Sequence, residues 1–461
     1  MKKKQVFMVL GGLILMTDFC CAQSADDALF GAPGDAEQPV PQASTTQDIA
    51  GKLLGAEQKT SLMGAFQYTG VSTWTQSDPD LNQAILLDLG LIARPDQNLR
   101  VETKGRWSYD PGMVTASFHV SEAFVDFQGG DSLYFRAGKQ FIQWGRGYFY
   151  SPADVLNLTT IDPTDPTNSN NPKAVKEGPT SFKATLEKGN AGLYQTVVST
   201  DQVTTGSNVS FASQGTWSFF GSEVSVGGFW QPSRIKSPRT FVTSGFKAFG
   251  TNFYTESILL WGNDQQRVSD DGNGGLTVDK NDGRLLTQQT IGASYSMDET
   301  ERLWSFSSSL QYYYNGTGAS DPSVYHDRAT ALTKLLNNGT LSSRNATGYG
   351  THYLAGSLEF LRILRIPMTA GTSFTASLTE VSWSVTPRTT YQFGPDLTLG
   401  AQTTWNRGAV NSEYSRSGDT SQWQLDALVF SKLTIKGSGP LPGSQAWVHP
   451  ALEVDLSGFE F

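Results

Sequence analysis

Cysteine is almost missing from this sequence: the two that occur, Cys20 and Cys21, lie within the first 22 residues. A disulfide framework for the rest of the chain is therefore excluded. Histidine is scarce too, with His119, His326, His352 and His449 far apart and in no HExxH arrangement. Walker A, dinucleotide-binding and G-x-S-x-G patterns are all absent, so no nucleotide site or hydrolase nucleophile can be named. Charge is sparse, at 17% of residues, and its balance is acidic at −9, which gives no support to nucleic-acid binding. After Ala22 no stretch stays apolar for 18 residues, so helical membrane spans are not expected.

Glycine and aromatics, by contrast, are plentiful, with 47 Gly, 26 Phe, 16 Tyr and 11 Trp. That richness is foreign to a disordered chain. Low hydrophobicity and low charge beside many aromatics fit an antiparallel transmembrane β-barrel, in which half of each strand meets lipid and half meets water.

The first residues indicate export. Lys2, Lys3 and Lys4 form a basic start, Val6 to Leu15 is apolar, and Met16 to Ala22 leads to a cleavage site after Ala22. The apolar run is too short to span a membrane, so residues 1–22 read as a signal peptide. Lipid attachment at Cys20 or Cys21 is disfavoured because Phe19 or Cys20 would precede the modified residue, where a small side chain is wanted. Residues 23–60, rich in Ala, Pro, Gln, Asp and Gly, read as a flexible periplasmic segment with a short helix near Ile49 to Leu54. Residues 61–461 are expected to form the barrel.

Alternation supports this division. In Leu99 to Tyr109, Leu99, Val101, Thr103 and Trp107 share one face, while Arg100, Glu102, Lys104 and Arg106 share the other. Four charges in a row cannot face lipid, where each would cost about 2–4 kcal/mol near midplane. Trp423 to Lys436, Leu397 to Asn406 and Tyr353 to Phe360 alternate similarly. A soluble β-sandwich with one wet face alternates too, but long strands with aromatics at their ends favour the barrel. Those aromatics are Trp74, Trp107, Tyr109, Trp144, Trp230, Trp261, Trp405 and Trp423.

Tight turns at Pro95–Asn98, Gly129–Ser132, Lys188–Asn190, Met297–Glu301 and Gly394–Asp396 interleave with long polar loops. The loops are Gly145–Thr180, Thr200–Ser213, Gly262–Arg284, Asn315–Gly348 and Gly408–Ser421. The count is 16 strands, or 18 if Thr216–Phe220 is a strand of its own.

The stretch Phe135-Arg-Ala-Gly-Lys-Gln-Phe-Ile-Gln-Trp-Gly-Arg-Gly-Tyr-Phe-Tyr-Ser-Pro-Ala-Asp-Val-Leu-Asn157 resembles a signature of porin-like outer-membrane families. That signature runs Arg-x-Gly-(Lys/Arg)-Gln-x-x-x-Trp-Gly…Ser-Pro-x-Asp-x-x-Asn. It occurs in proteobacterial porin-like proteins and, more distantly, in alginate-export channels. Val385 to Gly400 is similar to their penultimate hairpin. The resemblance covers about 50 residues. It implies a pore, with Arg136, Lys139, Gln140, Trp144, Arg146 and Asp154 lining it or anchoring its loop. Arg136 and Gln140 share a face, and Lys139 falls on the other unless a bulge intervenes. The terminal Phe461, with Phe459 before it, is similar to the signal read by the barrel-assembly machinery, although Glu453, Asp455 and Ser457 occupy the register expected to be apolar.

The expectation is an outer-membrane channel of a diderm bacterium for passive diffusion of small hydrophilic or anionic solutes. It calls for no cofactor, metal or catalytic residue, and the chain could be a homo-oligomer. Arg100, Lys104, Arg106, Arg136 and Arg146 would supply cations opposite Glu102, Glu122, Asp126 and Asp154. A surface adhesin that binds host or phage and a hydrophobic-compound transporter are the alternatives. His119 beside Ser117 and Ser121 does not make a catalytic pair, and Asp162 to Asn168 reads as a wet loop rather than a calcium site. Tyr148, Phe149, Tyr150, Val155 and Leu156 are too apolar for a fully wet loop. They predict that its first part packs inside the barrel mouth, with Arg146 and Asp154 near the pore.

Overall fold

The computed structural model describes residues 60–431 apart from segments within the loops, the longest of them 158–177. The signal peptide, the segment before Thr60, Asp162–Asn168 and the chain end with Phe461 lie outside the described residues.

The first half of the chain gives β1 (Thr60–Trp74), β2 (Pro79–Asp96), β3 (Leu99–Asp110), β4 (Thr115–Gly130), β5 (Leu133–Lys139), β6 (Thr180–Glu187), β7 (Leu193–Thr200), β8 (Ser210–Phe219), β9 (Ser222–Trp230), β10 (Arg239–Ala248) and β11 (Thr251–Trp261). A small hairpin follows, β12 (Arg267–Asp270) with β13 (Leu276–Asp279). The wall resumes with β14 (Leu285–Met297) and β15 (Ser305–Asn315), then β16 (His352–Arg362), β17 (Met368–Ser377), β18 (Ser382–Phe393), β19 (Leu397–Arg407) and β20 (Thr420–Ser431). Helices α1 (Val324–Asp327) and α2 (Ala329–Asn337) sit in the loop before β16.

Apart from the small hairpin, these strands form one 18-stranded antiparallel sheet. Each pairs with its neighbours in the chain, β11 pairs with β14 across the small hairpin, and β20 pairs with β1 from Gly64↔Ser431 to Trp74↔Ser421. That last ladder closes the sheet into a barrel, which leaves no free edge. Thr216–Phe219 belongs to β8, which accounts for the larger of the two expected counts. The expected tight turns and the expected long loops fall at opposite ends of the barrel, and the short β1–β2, β3–β4 and β17–β18 connections share the long-loop end.

Around the barrel, apolar side chains such as Leu91, Phe182, Val198, Val242, Leu259 and Ile291 are exposed on the outside. Polar residues alternate with them on the inside. An apolar belt around a polar interior, on a sheet with every edge paired, is the arrangement that lipid requires, so this is a membrane-spanning barrel of the outer-membrane type. Trp107 stacks on Tyr109 at 6.1 Å, and Trp230, Trp261 and Trp405 are exposed at the long-loop end. The side chains of Trp74 and Trp423 lie outside the described ones. Trp144 departs from the girdle reading: it is buried inside the barrel, because the chain turns inward before reaching it.

One bulge matters for the lumen. Lys104 pairs with Glu122 but Gly105 pairs with Val120, which leaves Ser121 as the extra residue, its hydroxyl donating to the Lys104 carbonyl at 3.2 Å. The register shift keeps His119 opposite Arg106, on the lumen side, although it stands an odd number of residues from Glu122.

At the long-loop end, Val268, Ala319, Leu332 and Leu341 form a small apolar core that ties the β12–β13 hairpin to α2. Arg328 on the helical side pairs with Asp270 at 2.9 Å.

Candidate functional site

The described lumen has two unlike halves: a loop folded inward against one wall, and a charged wall left uncovered by the described residues of that loop.

The loop leaves β5 at Gln140, which is fully buried. Its backbone N–H donates to the Pro179 carbonyl at 3.2 Å, and its side-chain amide donates to the carbonyls of Arg136 and Ser181 at 3.3 Å each. These bonds turn the chain off the wall. Asn157 then clamps the two legs together, accepting from the Ile142 N–H at 3.1 Å and donating to the Ile142 carbonyl at 2.9 Å. Between the legs, Ile142, Trp144, Ala153, Val155 and Leu156 pack on the lumen side of β7 to β11, against residues that include Val197, Phe241 and Ile258. Trp144 lies 5.7 Å from the Phe241 ring and donates its indole N–H to Gln195 at 2.9 Å. Phe241 in turn lies across Gly227, where any Cβ would collide with its ring. Burying each such large side chain contributes about 1.5–3 kcal/mol, enough to offset the ordering of several loop residues.

A single carboxylate organises the polar part of the dock. Glu256 of β11 is completely buried and accepts from the backbone N–H groups of Arg146, Gly147 and Ala153, the last at 3.0 Å, and from the Ser151 hydroxyl at 3.3 Å. A buried carboxylate is tolerated only when so fully satisfied. Arg146 itself pairs with Glu223 of β9. At the tip, the Tyr150 carbonyl accepts from Thr290 and Gln311, while the Tyr150 ring stacks on Tyr313 at 4.8 Å and leans on Tyr353 at 5.4 Å. The Tyr150 hydroxyl lies 3.3 Å from that of Tyr414, and the Tyr353 hydroxyl donates to Glu413 at 2.9 Å. Lys236 holds the returning leg through the carbonyls of Val155 and Asn157, at 3.2 Å each.

On β2 to β5 the charges form a connected row. Arg106 reaches Asp88 through two bonds, 2.5 and 2.8 Å. Lys104 lies 3.0 Å from Glu102 and 2.9 Å from Glu122, and Arg100 pairs with Glu102. Arg136 grips Asp126 at 2.5 and 2.9 Å and lies 3.9 Å over the Phe124 ring. Lys183 of β6 stands opposite Arg136 in the register. The carboxylates are the deeper partners: the side chains of Glu102 and Asp126 are 4% and 5% exposed, against 21% for Arg100 and 24% for Arg136. On β3 to β5 the cations thus cover Glu102, Glu122 and Asp126 on the lumen side, whereas Asp88 and Arg106 are equally exposed. Across β16 to β18, Glu359 and Arg388 make a further pair at 2.5 Å.

These positions sort the sequence candidates. Arg100, Glu102, Lys104, Arg106 and Arg136 come together on one face, as the alternation predicts. Gln140, Trp144 and Arg146 are loop anchors covered from the lumen, and Asp154 accepts from the Asn157 amide at 2.5 Å within the loop. Lys139 pairs with Ala123 and Thr180 on the outward register, since no bulge separates it from Arg136. The expectation that cations face acids across the lumen is corrected. The strands carrying them are neighbours, so opposite charges meet on one wall, along β3 at Arg100–Glu102 and Lys104–Glu102 and across strands at Arg106–Asp88, Lys104–Glu122 and Arg136–Asp126. Asp88, Lys183, Glu223, Glu256 and Gln311 were not singled out from sequence. Glu256 had one visible signal, a lone carboxylate on a face otherwise continued by Ile258 and Leu260.

No protein-family model matches the sequence, and no curated protein does. Solved structures do align. OccAB1 of Acinetobacter baumannii is 13% identical over 83% of this chain and 99% of that one, at a TM-score of 0.49. OccD3 (OpdP) of Pseudomonas aeruginosa is 11% identical over 82% and 94%, at 0.48. OmpF of Salmonella typhi is 10% identical over 81% and 98%, at 0.39. The fold assignment stands on the strand ladders themselves, which make this chain a closed 18-stranded antiparallel β-barrel whose lumen is entered by a docked loop.

Proposed function

We propose that the protein is an outer-membrane channel for passive diffusion of small hydrophilic solutes, and that it favours anions. The observation that supports this reading is the row on β3 to β5, in which Arg100, Lys104 and Arg136 are more exposed than the Glu102, Glu122 and Asp126 carboxylates they pair with. A barrel of 16–18 strands is wide enough for an aqueous channel, and the described part of the loop narrows it from the β7 to β16 side only. A solute passing the open side meets guanidinium and ammonium groups first. Counter-ions in water screen them beyond roughly 10 Å at 0.1 M salt, so the preference acts where the lumen is narrow.

Purified protein in a planar bilayer tests the proposal. Discrete conductance steps are expected, with a reversal potential in a potassium chloride gradient that marks chloride as the more permeant ion. Absence of steps at high protein load overturns the channel, and a cation-selective reversal potential overturns the anion preference.

A further inference from the structure

Two of the tight turns share an unusual solution. Phe220-Gly221 joins β8 to β9 and Phe249-Gly250 joins β10 to β11, each as a two-residue loop between paired strand ends. In both, the phenylalanine is left-handed, with φ of 49° and 53°, and the glycine follows at 76° and 79°. This is the turn that Asn-Gly or Asp-Gly makes readily, and a bulky side chain there is strained. Both rings are also fully exposed, at 107% and 99%. Hairpin geometry explains the glycines but gives no reason to prefer phenylalanine over asparagine, twice, at full exposure.

Position supplies the reason. β8 to β11 are consecutive around the wall, so the two turns stand about two strand spacings apart, roughly 10 Å. Directly above them the outer surface carries an aromatic band: Phe219, Phe246 stacked on Phe253 at 5.2 Å, and Tyr295. Tyr295 approaches the second turn closely, lying 3.1 Å from where a Gly250 Cβ would sit. The two phenyl groups thus continue the lipid-facing surface past the strand ends.

We propose that Phe220 and Phe249 are a paired anchor inserted into the headgroup–acyl boundary of the leaflet at the tight-turn end. Burial in that boundary recovers the apolar surface that the strained turns expose to water. The pair would fix the height and tilt of this side of the barrel, beneath the wall on which the loop docks. The inference rests on the barrel spanning a membrane, and the experiment separates the two.

The full chain, with Cys20 and Cys21 replaced by Ser, receives a single cysteine at Phe220 or Phe249 and a nitroxide label. It is then reconstituted in vesicles of phosphatidylethanolamine with a minority of phosphatidylglycerol. Labels at Ile291, on the outer belt, and Asp131, in the turn before β5, serve as the lipid and water references. Both test labels should be relaxed more by oxygen than by a polar nickel chelate, as at Ile291. If both behave like Asp131 while Ile291 reads as lipid, the anchor is disproved, whether the rings meet water or a protein partner. If Ile291 also reads as water, the membrane-spanning assignment itself fails, and the anchor with it. As a second measurement that needs no label, Phe220→Asn with Phe249→Asn should fold in detergent as well as the parent yet insert into these vesicles several-fold more slowly. Equal insertion rates would overturn the anchor.

Discussion

Glu256 accepts the backbone N–H of Ala153 at 3.0 Å, a bond between residues 103 apart in sequence that fixes the loop to the barrel wall. With Arg146, Gly147 and Ser151 aimed at the same carboxylate, this one side chain closes most of the polar contacts along the dock.

Glu256→Ala should therefore loosen the loop without unfolding the barrel. It orphans buried donors, at about 1–3 kcal/mol for each group left without a partner. The expected result is larger, noisier single-channel conductance and a lower temperature for the gel-mobility shift. Glu256→Gln, which keeps one acceptor oxygen, should fall between. Unchanged conductance in Glu256→Ala would mean that the apolar contacts of Trp144, Val155 and Leu156 hold the loop alone.

Deleting Tyr148–Asn157 removes the loop tip, the Asn157 clamp and part of the apolar dock. The barrel ladders do not depend on it, so assembly should persist while conductance rises and ion selectivity changes. Conductance and selectivity equal to the parent would place the loop outside the conducting path.

The screening of acids by cations gives two variants opposite signs. Arg136→Gln uncovers Asp126 and should move the reversal potential toward cations. Asp126→Asn frees Arg136 and should move it toward anions. Shifts in the same direction would show that this pair does not face permeating ions.

The two faces of β3 should differ sharply on substitution. Val101→Arg places a charge against lipid, at about 2–4 kcal/mol near midplane, and should reduce the folded fraction in membranes. Glu102→Gln leaves the residue on the wet side and should assemble, although Arg100 and Lys104 both lose an ion pair. This neutral change is the cleaner comparison, because Glu102→Arg would crowd three cations together. Equal assembly yields for Val101→Arg and Glu102→Gln would reverse the face assignment.

The barrel was legible because alternation is local: Arg100, Glu102, Lys104 and Arg106 declare their face within seven residues. The inward path of the loop was legible as well from Tyr148, Phe149, Tyr150, Val155 and Leu156, although only the last three are buried and Tyr148 stays exposed. What they dock against was not. Gln311 and Glu256 lie more than a hundred residues from their loop partners, and nothing local marks a lumen-facing side chain as covered or open. For that reason Arg146 and Trp144 read equally as lining or anchoring residues, and only their contacts with Glu223, Gln195 and Phe241 make them anchors. The Ser121 bulge was hidden too, because one extra residue changes the face of His119 while leaving the composition of β4 unchanged.

The ladder between β1 and β20 joins the two ends of the described chain, so its timing differs from that of every other pair in the wall. The remaining ladders link neighbours, and hairpins can form them as the chain becomes available. This one requires residues 421–431 and must bring together segments separated by the whole barrel, at the largest loop-closure cost in the sheet. Until it forms, β1 and β20 each offer a row of unpaired amides and carbonyls to any passing strand. Sealing is thus the natural last step of assembly, and a chain cut short before β20 is left as an open, adhesive sheet.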